Sequence, residues 1–294
     1  ITWNNKFNST IEYDTSKVPI GFRFTKFLGE GMKNDIRPEK RQAIAYWLMR
    51  GSCLFAYGVG IGKTWCSIFT IAQAMELGLT KRPLIIVPKQ VYVQFSKEIK
   101  KILGNQYKIN TLYNLSDTKD KQTGKLFSVK GSEITDNSIS ICTYDALENL
   151  GFSSDFDAEF YSRISGILNE ENENVSARQK EKTKEKYEGI IGKAKEGGFI
   201  DIDSPNTNFD FVAVDEAHNF KKLFVSVKGE AKGEQGSDRI SREKHPYKMS
   251  SGTQSKMAIK LFFITQYIQS KERTGNCLLL TATPFTNSPL EIYS

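Results

Sequence analysis

One glycine-rich stretch combines the residue types that bind a phosphate chain. The stretch "GVGIGKT", residues 58–64, holds three glycines followed by a lysine and a threonine. Glycines allow backbone N–H groups to turn toward an anion, and the amino end of a following helix adds partial positive charge. Lys63 can reach the β- and γ-phosphates of ATP, and the Thr64 hydroxyl can bind Mg²⁺. The candidate ATP-binding residues here are Gly58, Gly60, Ile61, Gly62, Lys63 and Thr64.

Tyr57 departs from the strict pattern GxxxxGK[ST], which has a glycine at this position. Packing in the core or at its rim is the favoured role for its side chain. The alternative for the whole stretch is a glycine-rich turn that binds nothing. The context of a strand before the loop and a helix after it favours a phosphate-binding loop.

A second stretch carries two adjacent carboxylates at the end of an apolar run. In "FVAVDEAHNF", residues 211–220, four apolar residues lead into Asp215 and Glu216. Asp215 is predicted to hold Mg²⁺ opposite Thr64, and Glu216 to orient and deprotonate the attacking water. The alternative is an ordinary strand that ends in an acidic turn.

A third stretch, "LLLTATPFTNS" at residues 278–288, places Thr281 and Thr283 after an apolar strand. Their hydroxyl groups are expected at the same edge of the sheet as the acid pair. Taken alone, the stretch favours the alternative of a strand that ends in a threonine–proline turn.

Apolar runs alternate with helix-like runs along most of the chain, and this order predicts the fold. The predicted strands are 53–57, 83–87, 107–113, 138–144, 209–214 and 277–283. The predicted helices are 36–51, 63–77, 89–103 and 253–269. Such alternation indicates an α/β domain with a mostly parallel central sheet and helices on both faces.

Two regions interrupt this alternation. Residues 151–207 carry eight basic and twelve acidic side chains and predict a charged helical insertion with little apolar face. Residues 221–252 are basic and rich in glycine and serine, and predict a mobile loop. Its cations Arg239, Arg242 and Lys244 are candidates for sequence-independent contacts with nucleic-acid phosphates, with a merely solvated loop as the alternative.

Composition sets further limits. The 294 residues carry a formal net charge of +7, which is compatible with a nucleic-acid partner. No run is long enough to cross a bilayer and the first residues lack a signal-peptide pattern, so a cytoplasmic or nucleoid-associated protein is expected. The first residue is Ile1, which suggests a piece of a longer chain.

The three stretches together resemble motifs I, II and III of superfamily-2 helicases, with the closest match to DEAH-box and Swi/Snf-type DNA translocases. The segment "IRPEKRQAI" resembles the segment that precedes motif I in that family. The segment "LIIVPKQVYVQF" resembles motif Ia, and "ISICTYDAL" resembles motif Ib. The combination of "DEAHNFKKL", "GTQSKMA" and "LLLTATPFTNSPLEIY" is especially similar to helicase modules of large phage- and plasmid-borne proteins, some of them joined to adenine methyltransferases.

The resemblance implies a RecA-like ATPase lobe that comprises residues 36–294, after an amino-terminal lead-in at 1–35. Gln42 would read adenine. Pro88, Lys89 and Gln90 (motif Ia) and Thr143 and Tyr144 (motif Ib) would face nucleic acid, although a helix-start role for Lys89 and packing for Tyr144 are open alternatives. The residues that would couple nucleotide state to DNA grip are His218, Thr281 and Thr283.

Members of this superfamily need a second RecA-like lobe, which carries an arginine finger, and residues 284–294 leave no room for it. The sequence therefore predicts a motor lobe of a DNA translocase or helicase that binds ATP but hydrolyses it poorly alone. Double-stranded DNA is the expected partner, with translocation and strand separation both open. The alternatives are a RecA-like scaffold with little catalysis and the motor part of a restriction or methyltransferase protein.

Overall fold

The computed structural model describes residues 15–18, 20, 36, 38–112, 134–147, 150–152, 158–169, 177–191, 200–202, 205, 207–221, 223, 226–232, 244–250, 255–271 and 275–284. Its helices are α1 Pro38–Arg50, α2 Lys63–Glu76, α3 Lys89–Leu103, α4 Tyr144–Leu147, α5 Ala158–Asn169, α6 Ala177–Ile191 and α7 Lys256–Lys271. Its strands are β1 Ser52–Ala56, β2 Pro83–Val87, β3 Lys108–Leu112, β4 Ser138–Thr143, β5 Leu150–Gly151, β6 Ile200–Asp201, β7 Phe211–Val214, β8 Ser226–Lys232, β9 Lys244–Ser250 and β10 Cys277–Thr281.

Six strands form one parallel sheet in the order β1-β10-β7-β2-β4-β3. The three strands β2, β7 and β4 are buried along their whole length, which explains the continuous apolar runs of β2 and β7. Since all six strands run the same way, their carboxyl ends meet at one edge of the sheet, where the three predicted motifs therefore converge. The predicted α/β class and sheet are confirmed.

Helices cover both faces of this sheet. On one face, α1, α2 and α3 pack around a core that includes Trp47, Phe69 and Phe95. On the other face, α5, α6 and α7 pack around a second core that includes Phe263 and Tyr187. Each large apolar side chain buried in these layers contributes about 1.5–3 kcal/mol relative to exposure. The two layers hold the sheet rigid and leave its carboxyl edge available for a site.

The insertion packs on the core through a few apolar side chains of its two helices. Tyr187 and Ile191 of α6 are buried, and Tyr161 of α5 stacks on Phe263 with ring centroids 5.7 Å apart. The short strands β5 and β6 pair in parallel at the base of the insertion. α6 is the charged helix that the sequence predicted, and its few apolar residues pack on the core.

The basic region differs from the prediction. Within the expected loop 221–252, β8 and β9 pair as antiparallel strands, with Lys232 opposite Lys244 and Lys228 opposite Lys248. Residues 1–14 and 21–35 of the predicted lead-in, together with Arg239 and Arg242, lie outside the described residues. In the part of the chain that the structure describes, no helix combines the length and apolar character of a membrane span.

The amino ends of β2 and β7 are fixed by one carboxylate. Asp210 accepts hydrogen bonds from the Thr80 hydroxyl at 2.5 Å and from the backbone N–H groups of Lys81 and Arg82 at 2.7 and 3.0 Å. The buried Asn276 adds a bond from its amide to the Asp210 carbonyl at 2.8 Å. These contacts explain why β7 begins at Phe211 rather than at the predicted residue 209.

Candidate active site

The glycine-rich loop joins β1 to α2 at the carboxyl edge of the sheet. Gly60 and Gly62 have φ angles of +86° and +90°, which side chains other than glycine rarely adopt. A Cβ on Gly62 would also lie 3.2 Å from Cε of Lys40. The loop therefore needs glycine at both positions, and α2 begins directly after it with Lys63.

Lys63 bends back over this loop. Its Nζ donates hydrogen bonds to the carbonyl oxygens of Tyr57 at 3.0 Å and Gly58 at 3.3 Å. The Tyr57 side chain is half-buried and packs against the core, with its ring centroid 5.9 Å from that of Phe55. Tyr57 thus contacts Lys63 through its carbonyl group, while its side chain packs against the core.

The acid pair follows β7 at the same edge. Asp215 is buried, and its backbone N–H donates to the carbonyl of Ile86 in β2 at 2.9 Å. Burial raises the pKa of the Asp215 carboxyl to about 6, and the neighbouring Glu216 carboxylate adds to the effect, while the Lys63 ammonium partly offsets it. A buried carboxyl is costly to ionise, and a cation placed beside it stabilises the ionised form.

A cavity of about 210 Å³ lies between the glycine-rich loop and Asp215. It has room for several water molecules of about 30 Å³ each, and so for a hydrated cation. The lining residues from the predicted site are Gly62, Thr64 and Asp215. Thr64 and Asp215, which are 151 residues apart in sequence, therefore line one space, as two residues that share a Mg²⁺ would.

The rest of the lining comes from residues that the sequence reasoning missed. Trp65 donates a hydrogen bond from Nε1 to Glu98 Oε2 at 2.8 Å. The ammonium groups of Lys40 and Lys101 lie 5.2 and 5.5 Å from the centroid of the Trp65 ring. The residues of α3 that line the cavity are Val91, Gln94, Phe95 and Glu98. Their spacing of three and four residues places them on one face of the helix, and this spacing was the sequence signal that could have identified them.

The predicted coupling residues form one hydrogen-bonded network. Nδ1 of His218 lies 3.0 Å from the Thr281 hydroxyl and 3.2 Å from a carboxylate oxygen of Glu216. The backbone N–H of Thr283 donates to the Thr281 hydroxyl at 3.1 Å, and β10 ends there rather than at the predicted residue 283. The network physically connects the acid pair with the end of β10.

The remaining predicted residues lie at different places. Gln42 is exposed on α1, and Lys89 and Gln90 are exposed at the start of α3. Thr143 is buried, and its hydroxyl accepts the backbone N–H of Ala146 at 3.2 Å, which favours a capping role for α4 over contact with nucleic acid. Lys244 is the first residue of β9.

A parallel sheet with a glycine-rich loop before a Lys-Thr helix start, and an acid pair at the same edge, is the arrangement typical of RecA-like nucleotide-binding lobes. Residues 33–285 match the family described as "Type III restriction enzyme, res subunit". The match covers most of the 294 residues, so the chain belongs to this family and, with it, to the superfamily-2 helicases, a group of ATP-hydrolysing enzymes.

Two individual proteins are also similar. The chain is 22% identical over 337 residues to "Defense against restriction protein B" of Escherichia phage P1, an alignment that covers 99% of this chain and 14% of that protein. The chain therefore spans about one seventh of the length of this relative. The "Sulfolobus solfataricus SWI2/SNF2 ATPase core in complex with dsDNA" aligns with 14% identity and a TM-score of 0.41, over 88% of this chain and 34% of that one.

Proposed function

We propose that the chain binds Mg²⁺–ATP between the glycine-rich loop and the acid pair and forms the first motor lobe of a DNA translocase or helicase. Lys63 binds the β- and γ-phosphates, Thr64 and Asp215 bind Mg²⁺, and Glu216 orients and deprotonates the attacking water. The observation that carries this proposal is the cavity shared by Gly62, Thr64 and Asp215.

Gln42 is proposed to read the adenine base, with Gly58, Gly60, Ile61 and Gly62 around the phosphates. The position of α1 supports this assignment. Lys40, two residues before Gln42 on the same helix, lies against both Gly62 and the Trp65 ring, so the amino end of α1 adjoins the loop. A base that extends from the phosphates toward α1 would meet Gln42.

DNA is proposed to bind along the carboxyl edge of the sheet. Lys89 and Gln90 follow β2, the strand next to β7, and are therefore near the acid pair. The basic region supplies a second contact through Arg239, Arg242 and Lys244, and the net charge of +7 favours a polyanionic partner. The family is described as a restriction-enzyme subunit, and this description favours double-stranded DNA over RNA as the partner.

Coupling is assigned to His218, Thr281 and Thr283, because their network joins the acid pair to β10. Full activity is proposed to need a second RecA-like lobe, in the same longer chain or in another chain. Without its arginine finger, turnover would be lower by about 10³–10⁵. We therefore expect residues 1–294 alone to bind nucleotide and to hydrolyse it slowly, with or without DNA.

The test compares Lys63→Ala with Lys97→Ala, since Lys97 is an exposed lysine of α3 that does not line the cavity. Binding of a fluorescent, non-hydrolysable ATP analogue is measured with Mg²⁺ present. The wild type and Lys97→Ala should bind, and Lys63→Ala should lose at least tenfold in affinity, the factor for about 1.4 kcal/mol. Equal affinity of all three proteins would refute the proposed site.

A second candidate is the motor part of a restriction or methyltransferase protein, which the family description favours. ATP-dependent DNA cleavage or methylation by the longer natural protein, lost with Lys63→Ala, would support it. The remaining alternative, a scaffold with little catalysis, requires that Lys63→Ala leaves the biological role intact.

A further inference from the structure

The hydroxyl group of Tyr144 contacts the backbone of the acid pair. Tyr144 is the first residue of α4, directly after β4, and its hydroxyl donates to the carbonyl oxygen of Asp215. The carbonyl oxygen of Glu216 lies 3.2 Å from the same hydroxyl. One side chain therefore reaches two successive peptide groups across 71 residues of sequence.

The surroundings of Tyr144 hold this hydroxyl in place. The Tyr144 ring meets the Phe220 ring edge to face, with centroids 4.9 Å apart. The amide of Asn219 donates to the Tyr144 hydroxyl at 3.4 Å and to the Glu216 carbonyl at 3.0 Å. Burial raises the pKa of Tyr144 far above its ordinary value, so the hydroxyl keeps its proton and remains a donor.

The backbone that these bonds hold is in an uncommon conformation. Glu216 has φ 50° and ψ 49°, the left-handed region that residues other than glycine occupy at a cost. This conformation turns the chain sharply after Asp215, so that successive side chains leave it in different directions. Such a turn persists only where neighbouring groups fix it, and the Tyr144 and Asn219 side chains are two such groups.

We propose that Tyr144 is a positioning residue for the acid pair: its hydroxyl fixes the peptide groups of Asp215 and Glu216 and so directs the two carboxylates toward Mg²⁺ and the attacking water. This inference rests on the proposed function. Tyr144 is not among the residues that line the cavity. Because it directly follows Thr143, it also connects the turn after β4 to the acid pair.

The test replaces Tyr144 with phenylalanine, which removes the hydroxyl and keeps the ring on Phe220. Tyr107→Phe is the matched control. Tyr107 is a half-buried tyrosine that precedes β3, and it therefore lies where the strands begin, at the end of the sheet opposite to the acid pair. Affinity for a fluorescent, non-hydrolysable ATP analogue is measured with Mg²⁺ and with EDTA. The ratio of the two affinities reports the contribution of the metal site alone.

Tyr144→Phe should reduce this ratio about fivefold, the factor for one net hydrogen bond, and leave the affinity in EDTA unchanged. Tyr107→Phe should keep the wild-type ratio. Asn219→Ala, at an exposed position, should reduce the ratio in the same direction and provides the test if Tyr144→Phe folds poorly. A role confined to stability would instead lower the melting temperature and leave the ratio intact.

The outcomes separate this inference from the function on which it rests. If the wild type does not bind the analogue, or shows no gain from Mg²⁺, the proposed function fails. If the wild type shows the gain and both Tyr144→Phe and Asn219→Ala retain it in full, the positioning role is refuted and the proposed function stands.

Discussion

Asp215 is buried next to Glu216, and in the absence of Mg²⁺ its replacement by asparagine should stabilise the protein. Its pKa is raised from 3.8 to about 6, mainly by burial. Below about pH 3.8 the carboxyl is protonated in the folded and in the unfolded protein, so its ionisation does not reduce the free energy of unfolding. The Asp215 carboxyl ionises more easily in the unfolded chain than in the folded protein. The free energy of unfolding therefore falls as the pH rises from about 3.8, and the full loss is reached above about 6.

The size of the effect follows from the shift. About 2 pKa units at 1.36 kcal/mol each give about 3 kcal/mol of lost stability at about pH 8, and about half of that at about pH 5. An asparagine side chain is nearly isosteric with that of Asp215 and uncharged, so Asp215→Asn should raise the free energy of unfolding by these amounts. The difference between the two pH values, on the order of 1–2 kcal/mol, is the sharper quantity, because any packing change is the same at both.

Chemical denaturation of the wild type and Asp215→Asn at both pH values measures this difference in the absence of Mg²⁺. Asp210→Asn is the matched control at the other end of β7. Because Asp210 accepts three hydrogen bonds, its replacement should lower the free energy of unfolding by about 1–3 kcal/mol. Asp215→Asn should in addition lose the gain in nucleotide affinity that Mg²⁺ provides, and Asp210→Asn should keep it.

Two results would refute this reasoning. One is a stability difference between wild type and Asp215→Asn that is equal at both pH values, which would mean that the carboxyl ionises as it does in water. The other is an Asp215→Asn protein that retains the full effect of Mg²⁺ on nucleotide affinity, which would remove Asp215 from the metal site.

Two further predictions concern coupling and DNA binding. His218→Ala, in a protein that includes the second lobe, should leave Mg²⁺–nucleotide affinity unchanged and reduce DNA stimulation of ATP hydrolysis about tenfold, since the Glu216–Thr281 connection is broken; equal stimulation in steady-state ATPase assays would contradict it. Replacing Arg239, Arg242 and Lys244 by glutamine should make the plot of log affinity for DNA against log salt less steep, by about 0.9 for each phosphate that is no longer neutralised. An unchanged slope would indicate a merely solvated region.

Local sequence determined the elements of the site, because each depends on residues that are neighbours in the chain. The turn at 58–62 needs glycine for its positive φ angles, and the apolar run Phe211–Val214 suits a strand buried on both faces. The order of strands and helices also determined the fold class, since parallel strands require helical connections and bring their carboxyl ends together. The family resemblance added the roles of His218, Thr281 and Thr283.

Tertiary structure decided what depends on contacts between distant segments. Sequence could not reveal that the Tyr144 hydroxyl reaches the Asp215 carbonyl, or that α3 and Trp65 complete the cavity, because these contacts depend on how helices pack on the sheet. For the same reason, the sequence did not reveal that Tyr187 and Ile191 of the charged helix α6 pack in the core. Periodicity describes one element at a time, whereas burial and electrostatics at Asp215 arise only when several elements meet.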